Sequence, residues 1–353
     1  MPAALAHGRG RAPAGRNVAS GEPAHPHRVA AWLVPALVVA WAGLFVWSYL
    51  GALGQPTPHR IPLALVAPTP GAVARMTAEL RHAAPGAIAV RAYQSRARAH
   101  AALLAGRVDG LLVIAPSAAT LDVAGAAGPS IVGALQQELD AVVAGPHVRL
   151  VVRDLVPLPA GDASGLGLFY LVLACVLGGY VGTLMILAHS GPLPAAVRMG
   201  QLAATAVLLG VATTTADRFL LGADPLPLPG APLVAALAAL AVAASTWALL
   251  VGLGRLAVPA AFGLFVILGN PASGGAIPRV LLPTAYAHLS GWLPNGAAVS
   301  ALRDLTFFPA ASITRPLLVL AAWTAAGLGC ALLLARRQPA PEPGRMDGPA
   351  TQT

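Results

Sequence analysis

Long apolar runs recur along this chain of 353 residues and restrict the fold it can adopt. The candidate membrane-spanning segments are 29–53, 165–188, 200–216, 231–253, 256–269 and 316–335. A helix that crosses a bilayer core of roughly 30 Å needs about 20 predominantly apolar residues. Only 10% of the residues are charged, against about 25% in soluble domains. The sequence therefore predicts a mostly α-helical membrane protein with six transmembrane helices.

The fifth apolar run, 256–269, is shorter than the others and ends in a run of helix-breaking residues. At about 1.5 Å per helical residue it reaches only about 21 Å. Asn270-Pro271 and then Ser273-Gly274-Gly275 follow it, and proline disfavours a helical residue before it. Irregular backbone at membrane depth requires protein or a water-filled cavity to cover its polar groups. We interpret this break as part of a translocation path or gate, with a kinked packing helix as the alternative.

Residues 54–163, between the first and second spans, have a different composition and predict a mixed α/β domain. Apolar stretches bounded by turn residues indicate strands at 61–67, 87–93, 110–115 and 147–156. Helices are predicted from Thr69-Pro70, over 95–107 and over 130–144, the last with Ile131, Leu135 and Leu139 on one face. This alternation predicts a small mixed sheet in a domain outside the membrane.

Arginine positions predict the orientation of the spans. Arg198 and Arg255 lie in short loops, and Arg336-Arg337 end the last helix. Basic residues are enriched in cytoplasmic loops, so both termini are predicted to be cytoplasmic in a multi-pass protein of the plasma membrane. The tails 1–28 and 338–353 are rich in proline, glycine and alanine and are predicted to be disordered.

Several kinds of chemistry have no motif in this sequence. All 22 basic residues are arginine, so no Walker A lysine exists. Neither His-Glu-x-x-His nor Cys-x-x-Cys occurs, and no nucleophile motif is present. We therefore expect no enzyme activity, no cofactor and no metal site. The arginines form no stripe interleaved with aromatic residues, which argues against a nucleic-acid partner.

Two smaller motifs lie in the spans. Gly178 and Gly182 form a Gly-x-x-x-Gly pattern, which favours close packing of helices, with a homodimer seam as the alternative. Asp217-Arg218 at the end of the third span is predicted to be a neutralising pair at the membrane interface, rather than a proton relay.

The carboxy-terminal half resembles the membrane subunits of type-2 ATP-binding-cassette exporters, especially the phage-infection-protein-like subgroup. The resemblance lies in the run Gly269-Asn270-Pro271-Ala272-Ser273-Gly274-Gly275, in Leu282-Pro283, in Leu293-Pro294-Asn295-Gly296-Ala297 and in Ala301-Leu302-Arg303. The run 165–182 is also similar to that subgroup. So is the order of the segments, in which one span is followed by an external domain and then by further spans. In that family the segment here numbered 270–315 dips back into the membrane near the outer leaflet.

The resemblance implies a permease that forms a homodimer or heterodimer in the lipid bilayer and is driven by a separate ATPase. It would export a hydrophobic or amphipathic compound, or an envelope component. The resemblance and the break together indicate the following gate residues: Asn270, Pro271, Ser273, Gly274, Gly275, Pro283, Pro294, Gly296 and Arg303. The loop 189–199 departs from the family pattern, being short with Pro192 and Pro194. The alternative function is a non-transporting receptor or scaffold whose external domain binds a partner.

Overall fold

A computed structural model describes residues 26–115, 118–143, 150–191 and 193–337. Both predicted disordered tails fall mainly outside these residues, as do residues 144–149. The chain divides into two units after Leu44. The first unit contributes the start of helix α1, Pro26–Leu53, where Trp32 and Val39 are strongly exposed. The contacts described below belong to the second unit.

The described secondary structure is mostly helical, with one small sheet. The strands are β1 Ile61–Val66, β2 Ile88–Ala92, β3 Gly110–Ile114, β4 Ala119–Val123 and β5 Leu150–Asp154. The helices after α1 are α2 Pro70–Ala83, α3 Arg96–Leu104, α4 Pro129–Val143, α5 Gly167–His189, α6 Ala195–Thr215, α7 Gly230–Leu253, α8 Ala257–Phe262, α9 Thr284–Ser290, α10 Pro294–Phe307 and α11 Thr314–Arg337.

The sheet has the order β2-β1-β3-β4-β5 and is parallel except for the β3–β4 pair. The prediction of a mixed α/β sheet is therefore confirmed, but strand β4 was missed. Two predicted helix starts are correct: the hydroxyls of Thr69 and Ser95 accept hydrogen bonds from the backbone N–H groups of Ala72 and Arg98. Such caps satisfy donors that have no partner within the helix.

The core of the α/β domain takes in two side chains from far along the chain. Leu281 and Phe308 are buried among the side chains of β1, β3 and α4. Thr57 N–H donates to the carbonyl of Leu281 at 3.1 Å, and His59 N–H donates to that of Val280 at 2.7 Å. The segment after the break is thereby fixed to the α/β domain by both backbone hydrogen bonds and apolar burial.

Five helical stretches are long and apolar enough to cross a membrane: Pro35–Leu53, Gly167–His189, Ala195–Leu221, Gly230–Leu268 and Thr314–Arg336. This confirms a multi-pass membrane protein by length and composition. The predicted fifth span, 256–269, overlaps the end of the fourth of these stretches. Gly254 divides that stretch, because its backbone has φ of +56° and ends α7. Six separate spans therefore remain a prediction.

Contacts between the helices give the direction of each one. Gly178 faces Leu209 of α6 and Gly182 faces Thr205, so α5 and α6 are antiparallel. In α5, Gly179 approaches the carbonyl of Ala239 in α7 so closely that a Cβ would lie 2.5 Å from its oxygen. The Gly-x-x-x-Gly face is therefore packed against α6 within one chain, as the packing interpretation predicted. Small residues permit this approach because no side chain separates the backbones.

Candidate functional site

The candidate site is the break, residues 269–275, together with the side chains that bond to it. It begins in a π-helical turn, Gly263–Leu268, that continues α8. In this turn Gly269 N–H donates to the carbonyl of Leu264, five residues back, at 3.0 Å. An α-helix would have used the carbonyl of Phe265 instead. The π turn therefore leaves a carbonyl in the protein interior that needs another donor.

Three consecutive carbonyls at this helix end accept hydrogen bonds from side chains of other elements. Phe265 accepts from the Asn295 amide at 3.0 Å, Val266 from the Tyr49 hydroxyl at 3.4 Å and Ile267 from the Ser48 hydroxyl at 2.6 Å. We call Ser48, Tyr49 and Asn295 the carbonyl clamp. Pro271 has no N–H to bond the carbonyl four residues back, at Ile267. The Ser48 hydroxyl supplies that donor.

Two details of the break differ from the sequence-based expectation. Asn270 keeps a helical backbone, with φ of −68° and ψ of −50°, although it precedes a proline. Next to Pro271, the Asn270 side chain would be expected to bond the backbone groups that proline leaves free, but its Oδ1 accepts from the Asn295 amide at 2.7 Å. The backbone bonding is done by Asn295, which lies in a quoted motif but was not selected as a site residue. The sequence feature that could have identified Asn295 is its polar amide between Pro294 and Gly296.

The Ser273 side chain bonds backbone groups of the break, but not the Ile267 carbonyl that Pro271 leaves free. Its hydroxyl donates to the carbonyl of Asn270 at 2.7 Å and accepts from the N–H of Gly275 at 3.2 Å. The chain then turns at Gly274, whose φ of +75° lies in the left-handed region that glycine adopts without steric cost. A short 3-10 turn, Pro271–Ser273, joins these features. Gly274, rather than the residue before proline, is thus where the helical path ends.

Close contacts explain two further glycines of the site. A Cβ on Gly275 would lie 2.8 Å from Cδ2 of Phe169, near the start of α5. A Cβ on Gly296 would lie 2.0 Å from the backbone oxygen of Ser290. Pro294 is the first residue of α10, and Pro283 immediately precedes α9. Proline suits both positions because the first helical N–H groups have no partner within the helix.

Arg303 connects the break to acidic side chains around it. Its Nη2 donates to the carbonyl of Gly274 at 3.0 Å. Burial lowers the pKa of Arg303, whereas the charges of Asp304, Asp109 and Asp224 favour its protonated form. Burial raises the pKa of Asp109, in the α/β domain, to about 6, against the opposing charges of Arg303 and Arg91. The Arg303 guanidinium therefore bonds the break and also interacts electrostatically with carboxyl groups of the α/β domain and of α10.

Most of the predicted gate residues come together around this carbonyl clamp. Asn270 bonds Asn295 of the clamp, and Ser273 bonds both Asn270 and Gly275. Arg303 bonds the carbonyl of Gly274, and Ser290 contacts both Gly296 and Ser273. Gly178 and Gly182 lie on α5 facing α6 and take no part in these contacts. Sequence reasoning missed Ser48 and Tyr49, because they lie more than 200 residues away in the chain.

The predicted Asp217–Arg218 pair is wrong. Asp217 is 7% exposed and accepts from the backbone N–H of Asp224 at 3.1 Å. Arg218 donates to the carbonyl of Leu226 and lies over the ring of Phe219. Within the described ranges the single ion pair is Arg96–Asp122, at 3.2 Å. Adjacent residues of a helix point in different directions, so the two charges cannot face each other.

Comparison with known proteins gives no match. No protein-family model, no curated protein and no solved structure is similar enough to this chain to be reported.

Proposed function

We propose that this chain is the membrane-spanning permease subunit of a type-2 ATP-binding-cassette exporter in the plasma membrane. The carbonyl clamp is the observation that supports the proposal most. A helix that only packs would bond its own carbonyls, whereas this one ends in three carbonyls bonded by side chains of α1 and α10. Interhelical bonds of this kind contribute about 0.6 to 2 kcal/mol each in membranes. The carbonyls of such a helix end can exchange hydrogen-bond donors at a moderate cost in free energy, as a gate requires.

The position of the break fits a path that opens outward. Gly275 contacts Phe169 at the start of α5, and Val280 and Leu281 bond to the chain just before β1. The break therefore lies at the end of the helices that adjoins the α/β domain, which is external in the proposed orientation. A hydrophobic or amphipathic compound, or an envelope component, would leave along this end. The identity of the break as a gate rests on this placement and on the family resemblance.

The energy source in this proposal is a separate ATPase, because a chain without lysine cannot form a Walker A phosphate loop. We expect affinity purification from native membranes to recover an ATPase subunit and a second permease subunit. Identification of the co-purified chains by mass spectrometry is the measurement. The loop between α5 and α6 lies at the end of the helices away from the α/β domain, where the ATPase would bind.

Two matched variants locate that partner. Ala196 at the start of α6 and Gln137 on α4 are both exposed. Ala196→Glu is expected to reduce recovery of the ATPase at least several-fold, and Gln137→Glu to leave it unchanged. Recovery of a partner that depends on Gln137, with no ATPase in any sample, would favour the receptor or scaffold function instead.

One observation favours that alternative function. A cavity of about 520 Å³ lies in the α/β domain. It is bordered by Thr69, Tyr93 and Gln94, which follow the carboxyl ends of β1 and β2. Ligands of open α/β sheets bind beyond the carboxyl ends of parallel strands. A receptor function would therefore place a small polar ligand here.

The proposed orientation can be tested by cysteine labelling in intact cells. Cys330 is exposed and is replaced by serine, while Cys175 is buried and stays. Gln137→Cys on the α/β domain is expected to react with a membrane-impermeant maleimide, and Ala196→Cys only after the membrane is permeabilised. This follows from the arginines at 198, 255 and 336, which favour the cytoplasmic side. Labelling of Ala196→Cys alone in intact cells would reverse the orientation.

A further inference from the structure

Three aspartates lie close together where the α/β domain joins α5 and where α6 ends. Asp162 is 9% exposed, Asp217 7% and Asp224 3%. A Cβ built on Gly167 would lie 2.5 Å from Oδ2 of Asp224 and 3.0 Å from Oδ2 of Asp162. These two oxygens are therefore at most 5.5 Å apart, the sum of those distances. Carboxylates this close and this buried cannot all be ionised without a large electrostatic cost.

The hydrogen bonds distinguish Asp224 from its two neighbours. Asp162 accepts from the backbone N–H groups of Leu166 at 2.9 Å and Gly167 at 2.8 Å, one on each oxygen. Asp217 accepts from the N–H of Asp224. Both carboxyl oxygens of Asp224 are buried and have no hydrogen-bond partner. Hydrogen bonds to a carboxylate favour its ionised form, and Asp224 lacks the bonds that its two neighbours accept.

We propose that Asp224 is a proton-binding site at the junction of the α/β domain and the membrane helices. The Asp224 carboxylate takes a proton from hydronium, forming an O–H bond and leaving water. The site goes beyond the proposed export function and does not depend on it. Among the described residues no group of three or more His, Cys, Asp or Glu side chains is placed to hold a metal ion. A proton neutralises the Asp224 carboxylate without requiring several ligands to converge on one point.

The groups around Asp224 support this assignment. Burial raises the pKa of Asp224 to about 7, with Asp217 and Asp162 acting in the same direction and Arg303 opposing them. Arg218 lies beside it at the end of α6, and its guanidinium is bonded to the carbonyl of Leu226. A cavity of about 420 Å³, bordered by Asp224, Arg218 and Pro159, gives water access to this region.

Infrared difference spectroscopy of the purified full chain during a pH titration tests the proposal. As the pH rises, the carboxylic acid C=O band is expected to lose intensity in steps that include one near pH 6 for Asp109 and one near pH 7 for Asp224. Asp224→Asn should remove the step near 7 and keep the other, and Asp109→Asn should do the reverse. Asp140→Asn, at an exposed position on α4, should change neither step.

A second variant covers the case in which Asp224→Asn does not fold. Asp217→Asn removes a neighbouring negative charge, so the step assigned to Asp224 should shift to lower pH. A step that stays in place in Asp217→Asn, or that persists in folded Asp224→Asn, would overturn the proposal. So would a titration of all carboxyl intensity below pH 5, because ordinary exposed carboxyls titrate at about pH 4.

Discussion

Alanine at position 296 is expected to lower the thermal stability of the protein in detergent extracts. The new Cβ would lie 2.0 Å from the carbonyl oxygen and 2.8 Å from the carbonyl carbon of Ser290. That backbone cannot move aside easily, since Trp292 and Leu293 both donate their N–H groups to Leu289 at 2.9 and 3.0 Å. Overpacking of an interior costs about 1–3 kcal/mol and occasionally more. A contact with backbone atoms belongs at the upper end of that range.

Thermal unfolding followed by size-exclusion chromatography measures the effect of Gly296→Ala. A loss of about 3 kcal/mol corresponds to a fall in Tm of roughly 4 °C in a chain of 353 residues, at about 2.1 cal/mol/K of unfolding entropy per residue. Gly200→Ala in α6 and Gly329→Ala in α11 are matched controls, because nothing lies within 4 Å of a Cβ at either position. Alanine in a helix interior is favoured over glycine by up to about 1 kcal/mol. A Tm for Gly296→Ala equal to those of the controls would contradict the close contact.

The same geometry separates two kinds of glycine within the break. At Gly275 the Cβ would meet the Phe169 side chain, and a ring can adjust more easily than a backbone carbonyl. At Gly274 the difficulty is conformational, because φ is +75° and no atom lies nearer than 3.5 Å to the added Cβ. Gly296 is thus required mainly for folding. Gly274 and Gly275, which carry smaller penalties, are better positions at which to test a gate.

Local patterns in the sequence were sufficient to predict most of the secondary structure. Apolar length identified α5, α7 and α11, and the residues Thr69 and Ser95 located two helix starts. These features depend on residues within a few positions of each other, where sequence periodicity is informative. Strand β4 was missed because its five residues directly follow β3 across a short connection, without a second apolar run that stands apart from the first.

The candidate site was only half predictable, for a physical reason. The break itself is visible as Asn270-Pro271 and Gly274-Gly275, because proline and glycine act on their own backbone. The donors that complete it, Ser48 and Asn295, are ordinary polar residues whose partners lie 219 and 30 positions away. Only the fold brings them to the carbonyls. The convergence of Asp162, Asp217 and Asp224 from three elements is non-local in the same way.

The largest pH-dependent effect is expected for Arg303→Gln. In the parent protein, burial raises the pKa of Asp224 to about 7 and that of Asp109 to about 6, while Arg303 lowers both. A carboxyl with a raised folded-state pKa contributes stability that is complete below its unfolded pKa, near 4, and is lost as the pH rises through the folded value. Without Arg303 both pKa values rise further, so the loss becomes larger and extends to higher pH.

Removing one partner of a buried charge interaction costs about 3–5 kcal/mol, because the remaining charge is left uncompensated. We therefore expect Arg303→Gln to destabilise the protein by about 3 kcal/mol at pH 8. At pH 5, where Asp109 and Asp224 are largely protonated, the expected loss is about 1 kcal/mol, from the hydrogen bond to the Gly274 carbonyl. The measurement is the free energy of unfolding, or the Tm, at the two pH values.

Two further variants decide what Arg303 contributes. Arg303→Lys keeps the charge and is expected to recover most of the stability at pH 8, while Arg81→Gln, at an exposed position on α2, should have no effect at either pH. An equal loss at pH 5 and pH 8 in Arg303→Gln would show that Arg303 acts only as a hydrogen-bond donor to Gly274. A loss confined to high pH would show that the charge of Arg303 links the acidic side chains to the break. Its guanidinium bonds the Gly274 carbonyl and interacts electrostatically with the carboxyls of Asp109 and Asp224.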